Sequence, residues 1–220
     1  LNDGYLAATL HELQMYGGGG RGRIEVDART PDVRIVQELR AEGVDARGFL
    51  TDAIGFTNLE GRTEAYINVT THGANQPALL REVDGRMSFE LRTGALRGVD
   101  LGGVATTIRR ALDNDLIAED ARTTLNGMSA TFAISNGVIA SETMSFNTPD
   151  LQLRGLGVID LPRRTLDLRV VPQRATLAIP FRVQGPWERL LYASDLSGRG
   201  RAEIEARVRQ VQQASRRSGG

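Results

Sequence analysis

The chain contains no cysteine, which excludes disulfides, thiolate metal sites and cysteine nucleophiles. That absence suits an oxidising compartment, where stray thiols are a liability, although many cytosolic proteins share it. Lysine is missing as well, so all 27 basic residues are arginine, a bias that a GC-rich genome produces without any functional demand. The 27 acidic residues balance them to a formal net charge of zero. No long-range field is therefore available to recruit nucleic acid or an anionic membrane. No window approaches the roughly 18 consecutive apolar residues of a membrane span. The chain opens on Leu1-Asn2-Asp3-Gly4 rather than Met, as expected of a piece of a longer protein whose signal or anchor lies upstream. What remains is an ordinary globular composition, 40% apolar and 25% charged over 220 residues, enough for one domain or two.

What the sequence has in abundance is alternation. Between residues 125 and 184 apolar and polar residues interleave almost without pause. Leu166, Leu168 and Val170 flank Asp167 and Arg169, while Leu177, Ile179, Phe181 and Val183 flank Ala178, Pro180 and Arg182. Period two places one set on each face of a strand. Ser135-Asn136-Gly137, Thr148-Pro149-Asp150, Leu161-Pro162-Arg163 and Gln184-Gly185-Pro186 punctuate the run as turns of antiparallel hairpins. The resulting meander has an apolar face that must be covered by a second layer, by closure of the sheet, or by a ligand.

The N-terminal part reads as a further hairpin, residues 5–15 and 23–28, joined by a flexible turn at Gly17-Gly18-Gly19-Gly20-Arg21-Gly22. A phosphate cradle is the alternative for that glycine run, but no Lys-Ser/Thr pair and no helix follow it. Strand character resumes over 33–44. Asp45 and Gly55 then bracket a short helix at 46–54 as N-cap and C-terminal glycine. Asn75 and Pro77 open a second helix at 76–82. Asp100 opens a third at 101–112, with Val104, Ile108, Ala111 and Leu112 as its apolar stripe. A weak repeat recurs at Leu59-Glu60-Gly61, Val83-Asp84-Gly85 and Leu125-Asn126-Gly127, each copy leading into an alternating strand. Chance likeness among turn-strand units is the competing account.

These segments carry a family resemblance. Leu59-Glu60-Gly61-Arg62, Asp84-Gly85-Arg86-Met87-Ser88-Phe89 and Thr93-Gly94-Ala95-Leu96-Arg97-Gly98-Val99-Asp100-Leu101 resemble the C-terminal region of the AsmA family of bacterial envelope proteins. Later stretches agree in order: Ala130-Thr131-Phe132-Ala133-Ile134, Leu153-Arg154-Gly155-Leu156-Gly157, Arg164-Thr165-Leu166-Asp167 and Ile179-Pro180-Phe181-Arg182. The resemblance runs over about residues 4–196, with 197–220 set apart as a polar helix and disordered tail. It implies a periplasmic domain attached to the bacterial inner membrane through a segment not present in this chain. It further implies kinship with proteins that form β-grooves for phospholipid passage toward the outer membrane, and with shorter members linked to outer-membrane protein assembly.

The expected fold is mainly β, an open antiparallel groove, a curled taco-like sheet with a few short helices. About 12 strands at roughly 4.8 Å spacing would extend about 55 to 60 Å. An incompletely closed sheet would leave a concave apolar face for hydrocarbon, and an acyl chain of about 16 carbons leaving water gains on the order of 10 kcal/mol. The candidate lining residues are Met87, Phe89 and Leu91, then Phe132 and Ile134, Leu151 and Leu153, Leu166, Leu168 and Val170, and finally Leu177, Ile179, Phe181 and Val183. Val104, Ile108 and Leu112 are candidates for a plug at one groove end. The same residues would equally fill an ordinary sandwich core. Expected partners are phospholipid or lipid acyl chains and envelope proteins, not nucleic acid.

Catalysis finds little purchase. His11 and His72 stand alone, so no metal or cofactor is called for. Asp160 and Asp167 could face each other across a hairpin as an acid–base pair, although polar residues are common on hairpin flanks. Trp187, the single tryptophan, is expected to pin the end of the last strand. In the tail, Ile204, Val208 and Val211 form a thin stripe on an arginine-rich helix over 201–213. It reads as a solvated terminal helix, with docking to the sheet end, to a partner or to a membrane surface as alternatives.

Overall fold

The computed structural model describes residues 3–98, 122–173, 179–195 and 198–218. The strands are β1 (Tyr5–Met15), β2 (Gly18–Asp27), β3 (Val33–Asp45), β4 (Leu59–Gly73), β5 (Asp84–Arg97), β6 (Arg122–Leu125), β7 (Gly127–Ser135), β8 (Val138–Asn147), β9 (Gln152–Asp160), β10 (Thr165–Pro172), β11 (Phe181–Pro186) and β12 (Leu191–Ser194). They form one antiparallel sheet in near-sequential order, and it does not close. β6 and β7 both pair with β5, at Gly94–Arg97 and Gly85–Leu91 of that strand. They share one place in the order, so eleven positions span roughly 48 Å.

Three helices accompany the sheet among the described residues: α1 (Ala46–Ile54), α2 (Gln76–Arg81) and α3 (Arg199–Ser218). α1 starts where Asp45 accepts the Gly48 amide at 2.8 Å. It ends where left-handed Gly55 and the following Phe56 return their amides to Thr51 and Leu50, which satisfies the carbonyls a helix end leaves open. α2 has Asn75 as its cap and Pro77 in its first turn. The expected helix at 101–112, with Val104, Ile108 and Leu112, lies outside the described residues.

Two turns fall elsewhere than expected. The first hairpin turns on Tyr16-Gly17 alone, both left-handed, the backbone a two-residue hairpin wants. Gly18 to Gly22 belong to β2, and Gly19 to Gly22 pair with β3. A Cβ on Gly22 would collide with the Glu38 carbonyl, so the glycines serve close strand approach rather than flexibility. Likewise Gln184-Gly185-Pro186 stays in β11, opposite Asp167, Leu166 and Thr165, and the chain reverses at 187–189. The Asn136-Gly137 turn falls where the sequence puts it. The three repeat copies begin β4, β5 and β7.

The tail is a correction of larger consequence. α3 is not a solvated helix, and it continues past residue 213. It runs Arg199–Ser218 across the back of β7 to β10. Ile204 and Val208 are wholly buried there against Ala140 and Val158, with Val138, Leu156 and Val211 around them. Polar contacts fix its course. Arg207 pairs with Asp167 at 3.0 Å, Arg182 reaches Glu203 at 3.6 Å, and the Ser215 hydroxyl donates to the Gly85 carbonyl at 3.0 Å. Asp167 also takes a bidentate pair from Arg182, both contacts at 2.7 Å, and that carboxylate holds the guanidinium above its ordinary pKa. No described helix is long and apolar enough to cross a membrane.

Candidate functional site: an apolar cavity within the curled sheet

The main core lies on the sheet face opposite α3. Its buried members come from β3, α1, β4, β5 and every strand from β6 to β11. β5 and β11 are five places apart in the sheet, roughly 24 Å if it were flat. Their side chains nevertheless line one cavity: Met87 and Phe89 from β5 meet Phe181 and Val183 from β11, with Phe132, Leu166, Leu168 and Val170 between them. Only a strongly curled sheet allows this. The curl has local causes, since the ladder slips register at Ala41/Val44, Gly61/Thr63, Ser129/Ala133 and Ser141/Met144, and bulges bend and twist the strands that carry them.

α1 lies inside the curl. Phe49, Leu50 and Ile54, followed by Phe56, supply cavity wall from the helical side. Tyr16 holds the helix, stacking edge-on against Phe49 at 5.9 Å between centroids and donating its hydroxyl to Asp52 at 2.8 Å. That carboxylate raises the Tyr16 phenol pKa. At the other end of α1, the Arg164 guanidinium of the β9–β10 turn abuts Gly55.

The cavity measures about 200 Å³ and its walls are almost wholly apolar. Cavities of about 150 Å³ lined by Leu, Ile and Phe stay dry and accept small apolar molecules, so this space suits hydrocarbon better than water. It is smaller than the roughly 300 to 1,000 Å³ of a site for a drug-sized ligand. Two polar wall residues are committed to each other: Arg97 gives its amide to the Asn58 carbonyl at 2.8 Å, and Asn58 returns its side-chain amide to the Arg97 carbonyl at 3.2 Å. Trp187 is different. It is 6% exposed, and its indole Nε1 is buried with no acceptor among the described residues. Leaving such a donor unmatched costs about 1 to 3 kcal/mol. Arg164 stacks over its ring at 5.4 Å and accepts its backbone amide at 3.1 Å, tying the turn after β11 to the turn before β10.

Of the expected lining residues, Met87, Phe89, Phe132, Leu166, Leu168, Val170, Phe181 and Val183 reach the cavity. Leu91, Ile134, Leu153 and, less buried, Leu151 pack in the same core without forming its wall. Ile179 precedes β11 and is half-buried; Leu177 lies outside the described residues. As cavity wall, sequence reasoning missed Phe49, Leu50 and Ile54 of the correctly expected α1, along with Trp187, Leu190 and much of β8, where Ile139, Met144 and Phe146 line the space. The register slip between Ser141 and Met144 breaks the alternation that would have disclosed β8.

Asp160 and Asp167 do not confront each other. Asp160 stands opposite Thr165 and pairs with Arg163 at 2.7 Å, whereas Asp167 stands opposite Val158 and serves Arg182 and Arg207. His11 and His72 are exposed on β1 and β4.

Comparison with curated proteins and with solved structures finds no match. The AsmA family model does match, over residues 1–144. That span ends within β8, short of the 4–196 over which the residues resemble the family. It covers well over half of the chain, so this protein belongs to the AsmA family, a bacterial envelope-associated family, and its role lies in envelope biogenesis.

Proposed function

We propose that the chain is a lipid-binding domain of the periplasm, attached to the inner membrane through sequence outside it. It supports outer-membrane lipid homeostasis by holding or passing phospholipid acyl chains. The cavity carries this reading: walls from seven consecutive sheet positions, β4 to β11, and from α1 surround space that is apolar, and burying hydrocarbon there is worth roughly 0.8 kcal/mol per CH₂. Binding rather than catalysis fits a site whose conspicuous side chains are Phe, Leu, Ile, Met and Val. A second reading, a scaffold for outer-membrane protein assembly that holds no lipid, draws on β1, an eleven-residue strand paired on one side only within the described residues, which offers its free edge to another strand. Native mass spectrometry of the chain purified from bacterial envelopes decides between them. Retained phospholipid is expected; its absence, from protein that is folded, favours the scaffold.

A further inference from the structure

From the buried indole we infer that Trp187 is the head-group contact of the cavity: its Nε1–H donates to an acyl oxygen, an ester carbonyl or a carboxylate, of a ligand whose tail occupies the apolar space. The inference rests on the hydrocarbon reading above and adds the ligand's polarity and orientation to it.

The argument begins with the mismatch. Buried N–H groups are almost always satisfied, yet this one has no acceptor among the described residues. The ring belongs to the cavity wall, and a water molecule entering there would want two to four polar partners. The rest of the cavity wall is apolar, with Val183, Leu166 and Leu190 among it, while Asn58 and Arg97 are already engaged with each other. An acyl oxygen needs no further partner of that kind, because the carbon chain attached to it is what the remaining walls accept. Position agrees, since Trp187 lies in the turn that follows β11, at the end of the strand rather than midway along it. Arg164 stacks on the same ring and pairs with the exposed Glu188 at 3.1 Å. This corner therefore joins a cation and a buried donor to an apolar cavity, the arrangement that suits the junction between the head and tail of an acyl amphiphile.

The chain has one tryptophan, so its ¹⁵N-labelled form gives a single indole N–H resonance. Decane, methyl decanoate and decanoate, each displacing the neutral probe N-phenyl-1-naphthylamine, differ in the oxygen they bring and share a chain length. The expected result is that all three displace the probe, and that the ester, the carboxylate or both move the indole N–H downfield while decane does not. In Trp187→Phe the preference for the oxygenated ligand over decane should fall about tenfold. The two acyl arms identify whether ester or carboxylate is the better source. If all three bind and the indole resonance responds to them alike, the head-group contact is wrong and the hydrocarbon reading survives. If none displaces the probe, the hydrocarbon reading fails and takes this inference with it. The resonance is read on the unsubstituted chain, so the result stands even where Trp187→Phe folds poorly.

Discussion

β1 and β2 contain no buried residue, whereas β8, β9 and β10 bury side chains on both faces. Both regions belong to one hydrogen-bonded sheet, so the backbone ladder cannot account for the difference. Cover does. β8 to β10 lie between α3 on one side and the cavity walls on the other. β1 and β2 have solvent close to both faces and lean on exposed pairs such as Arg23–Glu25 and Arg29–Asp27, which are individually worth little. A sheet of this length is thus two materials. The covered half should set global stability, and the N-terminal edge should open first.

Phe181→Asp should break that arrangement most severely. Phe181 is 1% exposed at the cavity wall, so the change combines a lost aromatic with a desolvated carboxylate, about 4 kcal/mol or more. Tyr5→Asp, on the exposed edge, should stay within about 0.5 kcal/mol. Denaturant midpoints of the two variants measure the contrast, and equal midpoints would dissolve it. Any Phe181→Asp protein that does fold should retain less phospholipid.

The next largest effect concerns the cover itself. Val208→Asp places a charge between α3 and Ala140 and Val158, at a cost of about 3 kcal/mol. Hydrogen exchange should quicken in β8 to β10 while β1 and β2 keep their rates. Unchanged protection in β8 to β10 would mean that the helix contributes nothing to the strands beneath it.

How far the sequence discloses these two halves depends on what local pattern can encode. Alternation at Leu166, Leu168 and Val170 marks β10 and its cavity face directly. It is silent about the other face, because Asp167 and Arg169 look like solvent-facing residues. Both are buried, Arg169 against Asp195 at 2.6 Å and Asp167 beneath Arg207. The stripe of Ile204, Val208 and Val211 reveals a helix but not its dock, since its counterparts Ala140 and Val158 are small and far away in sequence. Asp45 and Gly55 fix the limits of α1 through local chemistry. Its place inside the curl depends on bulges whose sum no local window contains. The glycine run misleads for a related reason: flexibility and close strand approach call for the same residue, and only the position of β3 distinguishes them.

The smallest effect sharpens the comparison from the exposed side. Asp27, at the end of β2, has its carboxyl pKa lowered to about 2, first by the hydrogen bonds from the Arg29 side chain and then by the Arg29 amide. The unfolded value is about 3.9. A carboxyl depressed in the folded state stabilises above its unfolded pKa, and the contribution disappears as pH falls through about 2. Asp27→Asn should therefore lower stability slightly at neutral pH, with the gap from the unsubstituted chain closing between about pH 4 and pH 2. Because the pair lies at the surface, molar salt, with a Debye length of roughly 3 Å, should weaken the Coulombic part of the shift and bring the midpoint back toward the ordinary carboxylate range. Carbon NMR of the Asp27 carboxyl follows the titration directly. A midpoint near 3.9 at low salt would show that Arg29 does not hold the carboxylate in solution, leaving the edge of the sheet without even this local tie.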